Sequence, residues 1–126
     1  MKRTLSFSLV ALTALSFAAA VLTPSDVMKS PEKYDSKVIK VRGIVKKFTG
    51  RTSKAGSDYI TFQLTSGSNW IAIYSHGKLD KPLKDGDKVE VEGKFTKLKT
   101  VSTMTFKNEL DCSGKKGEKP KISAVK

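Results

Sequence analysis

The stretch KVIKVRGIVKKF, Lys37–Phe48, decides the fold, because its apolar residues fit both a helical and a strand period. It holds six apolar and five positively charged side chains around one glycine. Its β-branched residues and its central glycine favour a strand and disfavour a helix. The inner face of this strand is then formed by Ile39, Val41, Gly43 and Val45. The outer face carries the cations Lys40, Arg42 and Lys46.

A hairpin is predicted next. After the loop TGRTSKAGSD comes YITFQLTS, residues 59–66, which alternates apolar and polar side chains as a half-buried strand does. Ser66–Asn69 is a turn, and WIAIYS, residues 70–75, is the returning strand. If Ile71 and Ile73 face inward, Trp70 and Tyr74 face outward, and the opposite register stays open.

Two further strands complete the predicted sheet. KVEVEGKF, residues 88–95, alternates with valine and phenylalanine inside, and residues 100–107 form the last strand. Residues 37–107 thus give five short strands, with no repeat and no domain boundary inside them. Because open sheets expose their edges, we predict an all-β, five-stranded closed barrel.

The two ends of the chain differ in composition from the predicted barrel. Residues 1–20 combine Lys and Arg, an apolar run and small residues before a cleavage point, which predicts a signal peptide and export to the periplasm or medium. An uncleaved anchor is the alternative. Residues 21–36 form a lead-in with a short helix that begins at Thr23-Pro24-Ser25-Asp26, ahead of the barrel at residues 37–110. Residues 111–126, rich in Lys and Gly, are predicted to be a disordered basic tail.

Charge favours anionic partners. The chain has a formal net charge of +12, and removal of residues 1–20 leaves 22 Lys and Arg against 12 acids, a net +10. Such a surplus favours nucleic acid, anionic polysaccharide or lipid, and it also raises solubility. Cys112 is the single cysteine, so no disulfide forms within the chain. We expect this thiol to be inert, with pairing between chains as the alternative.

The order of these motifs resembles the OB-fold. VRGIV, YITFQLTSGSNWIAIY and GDKVEVEGKF stand in the order of its first four strands, over about residues 37–106. SPEKYDSKVIKVRG resembles the lead-in of small exported bacterial OB proteins. The connection after the third strand departs from the pattern, because Pro82 and two glycines leave little room for the usual helix.

This resemblance implies a ligand across the second and third strands, flanked by the first–second and fourth–fifth loops. Aromatic rings among cations suit single-stranded nucleic acid, because rings stack on bases and cations neutralise phosphates. Alternatively, Trp70 and Tyr74 fill the barrel interior or pack beneath the N-terminal segment. The candidate ligand-binding residues are Lys40, Arg42, Lys46, Arg51, Lys54, Tyr59, Trp70, Tyr74, Lys97 and Lys99.

Signals for catalysis are thin. His76 stands alone, without Cys or acids at metal-ligand spacing, and we interpret it as a surface residue. Asp85 and Asp87 fit turn hydrogen bonds better than a paired-carboxylate site. We therefore expect no enzyme activity, no cofactor and no metal site.

Three functions remain open from the sequence. The first is an exported OB module that binds single-stranded nucleic acid or another polyanion. The second is a periplasmic OB protein that binds a small ligand or a protein partner in envelope stress or assembly. The third is a surface-adhering protein held to anionic lipid or glycan by its basic tail, residues 115–126.

Overall fold

The computed structural model describes residues 20–115 and 117–125 of the chain. The predicted signal peptide, apart from Ala20, lies outside the described residues. Within them, no helix is both long enough and apolar enough to span a bilayer.

Seven strands and two short helices make up the described part of the chain. In chain order they are β1 (Val21–Leu22), α1 (Pro24–Lys29), α2 (Pro31–Tyr34), β2 (Val38–Thr52), β3 (Asp58–Ser66), β4 (Asn69–His76), β5 (Lys88–Val101), β6 (Met104–Asp111) and β7 (Ile122–Ala124).

The strands form one closed sheet in the order β1-β2-β3-β4-β6-β5-β7, with an additional pairing of β2 with β5. The first half of β2 pairs antiparallel with β5, and its second half pairs antiparallel with β3. The ring is completed by the parallel pairing of β4 with β6. Strands β2 to β6 are therefore the predicted five-stranded OB-type barrel, with β1 and β7 added at its edges.

The core lies inside this barrel and follows the predicted alternation. On β4, Ile71 and Ile73 face inward, which leaves Trp70 and Tyr74 on the outer surface. The inward residues of the other strands are fully or almost fully buried: Val41, Val45, Ile60, Phe62, Leu64, Val89, Val91, Phe95 and Leu110. The alternative in which the rings fill the interior is therefore excluded.

Helix α1 begins as the sequence predicts. The Asp26 N–H donates to Thr23 Oγ1 over 3.2 Å, and the Thr23 N–H donates to Asp26 Oδ2 over 2.9 Å. These contacts hold the pKa of Asp26 below its usual value, mainly through the backbone hydrogen bond from Thr23. Val27 is fully buried and anchors the helix to the barrel. Pro31 then starts α2, because proline disfavours helical geometry at the preceding residue.

The C-terminal third differs from the prediction in two ways. The predicted last strand, residues 100–107, spans a turn at Ser102–Thr103 between β5 and β6. Ser102 has a φ of 58°, a conformation that glycine usually adopts, so no glycine marks this turn in the sequence. The tail predicted to be disordered returns to the barrel, where β7 pairs with β5 from Val89 to Val91.

Glycine 93 permits a close approach between β5 and the end of β6. A Cβ atom at this position would lie 2.6 Å from the carbonyl carbon of Asp111 and 2.8 Å from the Cα of Cys112. Both neighbours are backbone atoms, so they yield only if the strands separate.

We predict that Gly93→Ala lowers the free energy of unfolding by about 1–3 kcal/mol, as overpacking does. Gly50→Ala is the matched control, because a Cβ there meets no atom within 4 Å. Its effect should stay within about 0.5 kcal/mol, since Gly is already unfavourable inside a strand. Denaturant unfolding of both variants measures the difference, and equal stabilities would contradict the close approach.

Candidate functional site

Two tyrosines and the histidine form a cluster on the outer surface of the β3–β4 hairpin. Alternation along β4 puts Tyr74 and His76 on the same outward face, and the register sets Tyr59 opposite His76. The Tyr59 and Tyr74 rings lie 5.9 Å apart, and the Tyr74 and His76 rings meet edge to face at 5.3 Å. The Tyr74 hydroxyl is 3.1 Å from His76 Nδ1. We call Tyr59, Tyr74 and His76 the tyrosine–histidine cluster.

A lysine–glutamate pair borders this cluster. Lys99 Nζ lies 5.7 Å from the centre of the Tyr74 ring and 3.2 Å from Glu109 Oε1. Glu109 is buried, whereas Lys99 stays partly exposed. Burial, followed by the charge of Asp111, raises the pKa of Tyr74, so its hydroxyl stays protonated at neutral pH.

The backbone at the end of β4 is fixed from two sides. The His76 N–H donates to Ser113 Oγ over 2.9 Å, and the Gly77 N–H donates to the Asp58 carbonyl over 2.8 Å. The His76 side chain is nevertheless exposed. The protein therefore holds an accessible imidazole on a firmly positioned strand end.

A cleft of about 630 Å³ opens beside His76. Its lining includes Lys78, Lys115 and Lys119 together with the buried Pro120. Lys78 Nζ is 3.7 Å from Asp58 Oδ2, and Lys119 pairs with Asp80. Both pairs are largely exposed, so they cost little to exchange for another anion.

The structure brings four of the ten predicted ligand residues together. Tyr59, Tyr74 and Lys99 belong to or border the cluster, and Arg51 is the cross-strand neighbour of Tyr59. Trp70 is 47% exposed as predicted, but it pairs with Thr65 at the opposite end of the hairpin.

The other five predicted residues lie apart from the cluster. On the β2–β5 side of the barrel, Lys40 is opposite Glu92, and Arg42 forms a 3.0 Å ion pair with Glu90. Lys97 lies 3.9 Å from Glu32 on the N-terminal segment. Lys46 and Lys54 are exposed on β2 and in the following loop.

Sequence reasoning missed His76 and Glu109 as members of the site. His76 is exposed, as predicted for a surface residue, but its side-chain partner is a tyrosine hydroxyl two residues earlier on the same strand. The alternation that predicts an outward Tyr74 also predicts an outward His76, so the sequence already indicated that the two side chains are neighbours on one face. Glu109 carried no comparable signal, because its position depends on the pairing of β4 with β6.

Outside the cluster, the described residues form no set of metal ligands, and the single thiol is buried. In the part of the chain that the structure describes, no three His, Cys, Asp or Glu side chains converge as metal ligands would. Cys112 is fully buried in the core. Burial raises the pKa of its thiol to about 12.

The family model of the CcmE domain matches residues 18–109, well over half of the 126-residue chain. The chain belongs to the CcmE family. This is a family of haem chaperones of cytochrome c maturation with an OB-type barrel, as observed here. No curated protein and no solved structure shows significant similarity to the chain.

Membership of the CcmE family corrects the predicted function. The prediction of a module for single-stranded nucleic acid is wrong, because the family handles haem. Its alternative, an exported OB protein for a small ligand or a protein partner, agrees with the family. The error has a physical cause: nucleic acid and haem both present flat rings and negative charge, so aromatic residues among cations suit either one.

Burial of Cys112 predicts an unreactive thiol. At pH 8 the native protein should react with a thiol reagent far more slowly than the unfolded chain, because thiolate is the reactive form. Iodoacetamide labelling followed by mass spectrometry, with and without denaturant, measures this. Labelling at equal rates would show that Cys112 is accessible.

The raised pKa of the Cys112 thiol also predicts a loss of folding stability at high pH. The folded-state pKa lies above the ordinary value of 9.0, so the contribution of the thiol is complete below pH 9 and is lost as pH rises towards about 12. Unfolding experiments across that range should show a smaller decline in Cys112→Ala than in the parent chain. An identical decline would contradict the buried position.

Proposed function

We propose that this protein is an exported, non-catalytic CcmE-type module that carries haem at the tyrosine–histidine cluster, with His76 as the iron ligand. The observation that carries the proposal is the 3.1 Å contact between Tyr74 Oη and His76 Nδ1, beside an exposed imidazole. With the proton on Nδ1, that nitrogen donates to the hydroxyl and Nε2 keeps its lone pair. A histidine that ligates a metal is commonly held by such a hydrogen bond from its other nitrogen.

The residues around His76 fit haem in shape and polarity. The neighbouring rings of Tyr59 and Tyr74 form an aromatic surface beside the imidazole. Such a surface suits a flat macrocycle, because aromatic contacts favour stacking and bury a large apolar area. When bound, haem supplies an iron centre that accepts a nitrogen ligand.

Positive charge near the cluster suits the two carboxylates of haem. Lys99 borders the Tyr74 ring, and Lys78 and Lys115 line the cleft beside His76. Lysines on flexible stems tolerate several positions of an anionic group. The site therefore has cations on two sides of the imidazole.

Cysteine, which ligates haem iron as thiolate in other proteins, does not fit this role here. Thiolate is the ligand form of cysteine, but Cys112 is buried and its pKa is raised to about 12. His76 is the only histidine in the sequence. An imidazole ligand from this chain must therefore come from β4.

The open position of the cluster suits a carrier. The cluster lies on the outer barrel surface rather than in an enclosed pocket, so much of a bound ring would stay accessible. A carrier has to surrender its cargo to a protein partner, and a shallow site leaves room for that partner.

Titration of the purified protein with ferric haem tests the proposal. The parent chain should show a Soret band that shifts on binding, and His76→Ala should lose the imidazole-ligated spectrum. Added imidazole should restore that spectrum to His76→Ala. Tyr74→Phe should bind haem about tenfold more weakly, the lower end of the range for partners that orient a ligand.

Trp70→Ala is the matched control, because it removes an exposed ring from the same strand, four residues from Tyr74. It should bind haem as the parent chain does. An unchanged spectrum in His76→Ala would overturn the assignment of the ligand. No binding by the parent chain would overturn the proposed function.

A further inference from the structure

The C-terminal part of β5 and the N-terminal part of β6 extend beyond the barrel as a two-stranded arm. β2 pairs with β5 only as far as Lys94, and β4 pairs with β6 only from Glu109 onward. Between these limits and the turn, the two strands pair only with each other in the part of the chain described. We call Leu98–Lys107 the hairpin arm. Its straight length is about 10 Å at the usual rise per residue of a strand.

The hairpin arm exposes apolar side chains that the barrel does not cover. Leu98 and Met104 are each 60% exposed, and Val101 is 50% exposed. Val101 and Met104 face each other across the turn, at the far end of the arm. Val101 and Met104 share one face of the arm, whereas Leu98 lies on the opposite face, so apolar side chains are exposed on both faces of this short segment.

The sequence segment that contains the arm carries charges of one sign. From Lys94 to Asn108 the sequence contains four lysines and no acid. Lys97 and Lys99 each have an acidic partner at the barrel end, whereas Lys107 has none among the described residues. The exposed Lys97–Glu32 contact, at 3.9 Å, is weak and exchangeable.

We propose that the hairpin arm docks this protein on an anionic lipid surface, with its apolar end inserted and its lysines at the level of the phosphates. The length of the arm matches the depth of about 5–10 Å at which amphipathic segments lie in a bilayer interface. Pairing between the two strands satisfies much of the backbone, which lowers the cost of leaving water.

Charge complementarity favours lipid over a protein partner. Anionic headgroups attract every nearby lysine without requiring a fixed geometry, and Lys99 and Lys107 of the arm, with Lys97 just before it, lie behind its apolar end. The proposal requires neither haem nor His76, because its apolar end and the tested lysines, Lys97 and Lys107, lie outside the tyrosine–histidine cluster, and only Lys99 borders both. It can therefore fail or succeed separately from the proposed function.

The test places a polarity-sensitive fluorophore at the turn of the arm, through Thr103→Cys in the full chain. The parent chain, treated in the same way, checks that the buried Cys112 stays unlabelled. Phosphatidylcholine vesicles with phosphatidylglycerol should shift the emission to the blue, and vesicles without it should shift it much less. Ser68→Cys, in the turn between β3 and β4, is the matched control, and its emission should not shift.

Two sets of substitutions distinguish insertion of the apolar side chains from electrostatic attraction of the lysines to the lipid. Leu98→Ser, Val101→Ser and Met104→Ser together should abolish the blue shift while the circular dichroism spectrum is retained. Lys97→Gln with Lys107→Gln should weaken vesicle binding roughly 25-fold, at about fivefold for each lysine near an anionic surface.

Several results would overturn the proposal. No shift with either vesicle would assign the apolar arm to a protein partner instead. An equal shift at residue 68 would show that the whole chain, rather than the arm, approaches the membrane. A shift that persists after the three serine substitutions would show that the arm does not insert.

Discussion

The pairing of one strand, β2, with two other strands of the barrel, β3 and β5, is the constraint on which the rest of the structure depends. Its first half joins β5 and its second half joins β3, and Ile44 takes part in both pairings. A strand can turn between two partners only where its inner side is unobstructed. Gly43 meets this need, because a Cβ there would lie 2.8 Å from the Thr65 carbonyl oxygen and 2.9 Å from Leu64 Cγ. Closure of the barrel then determines which side chains of β3 and β4 face outward.

The sequence predicted the parts of the fold whose pattern is local. Alternation in residues 37–48, 59–66 and 88–95 is visible without knowledge of any partner strand, and it gave the core correctly. The capping box at Thr23 is likewise a local pattern. The last hairpin was harder, because Ser102 and Asn108 adopt positive φ angles without glycine. β7 has three residues and is stabilised by pairing with β5, so no local signal marks it.

The candidate site was predicted only in part, because charge and ring content do not encode position. Tyr59 and Tyr74 were found from alternation, and both lie in the cluster. The cations chosen with them divide among different surfaces, since Arg42 pairs with Glu90 and Lys97 lies beside Glu32. Ion pairs between distant strands cannot be recognised before the pairing is known. Nucleic acid was predicted instead of haem for a related reason. Aromatic rings and cations in a sequence suit any flat, negatively charged ligand, and haem is one of these.

The position of His76 follows from how the barrel closes rather than from the hairpin alone. The Cys112 N–H donates to the Tyr74 carbonyl over 2.9 Å, which extends the parallel contact of β6 with β4. Cys112 also fills the core at that point, so the backbone of Tyr74 is fixed by packing as well as by hydrogen bonds. A backbone that is already fixed raises the affinity of a binding site, because little further ordering of the chain is required when the ligand binds. The buried cysteine therefore contributes to the candidate site through the backbone that it positions, and in the proposed function the exposed histidine is the iron ligand.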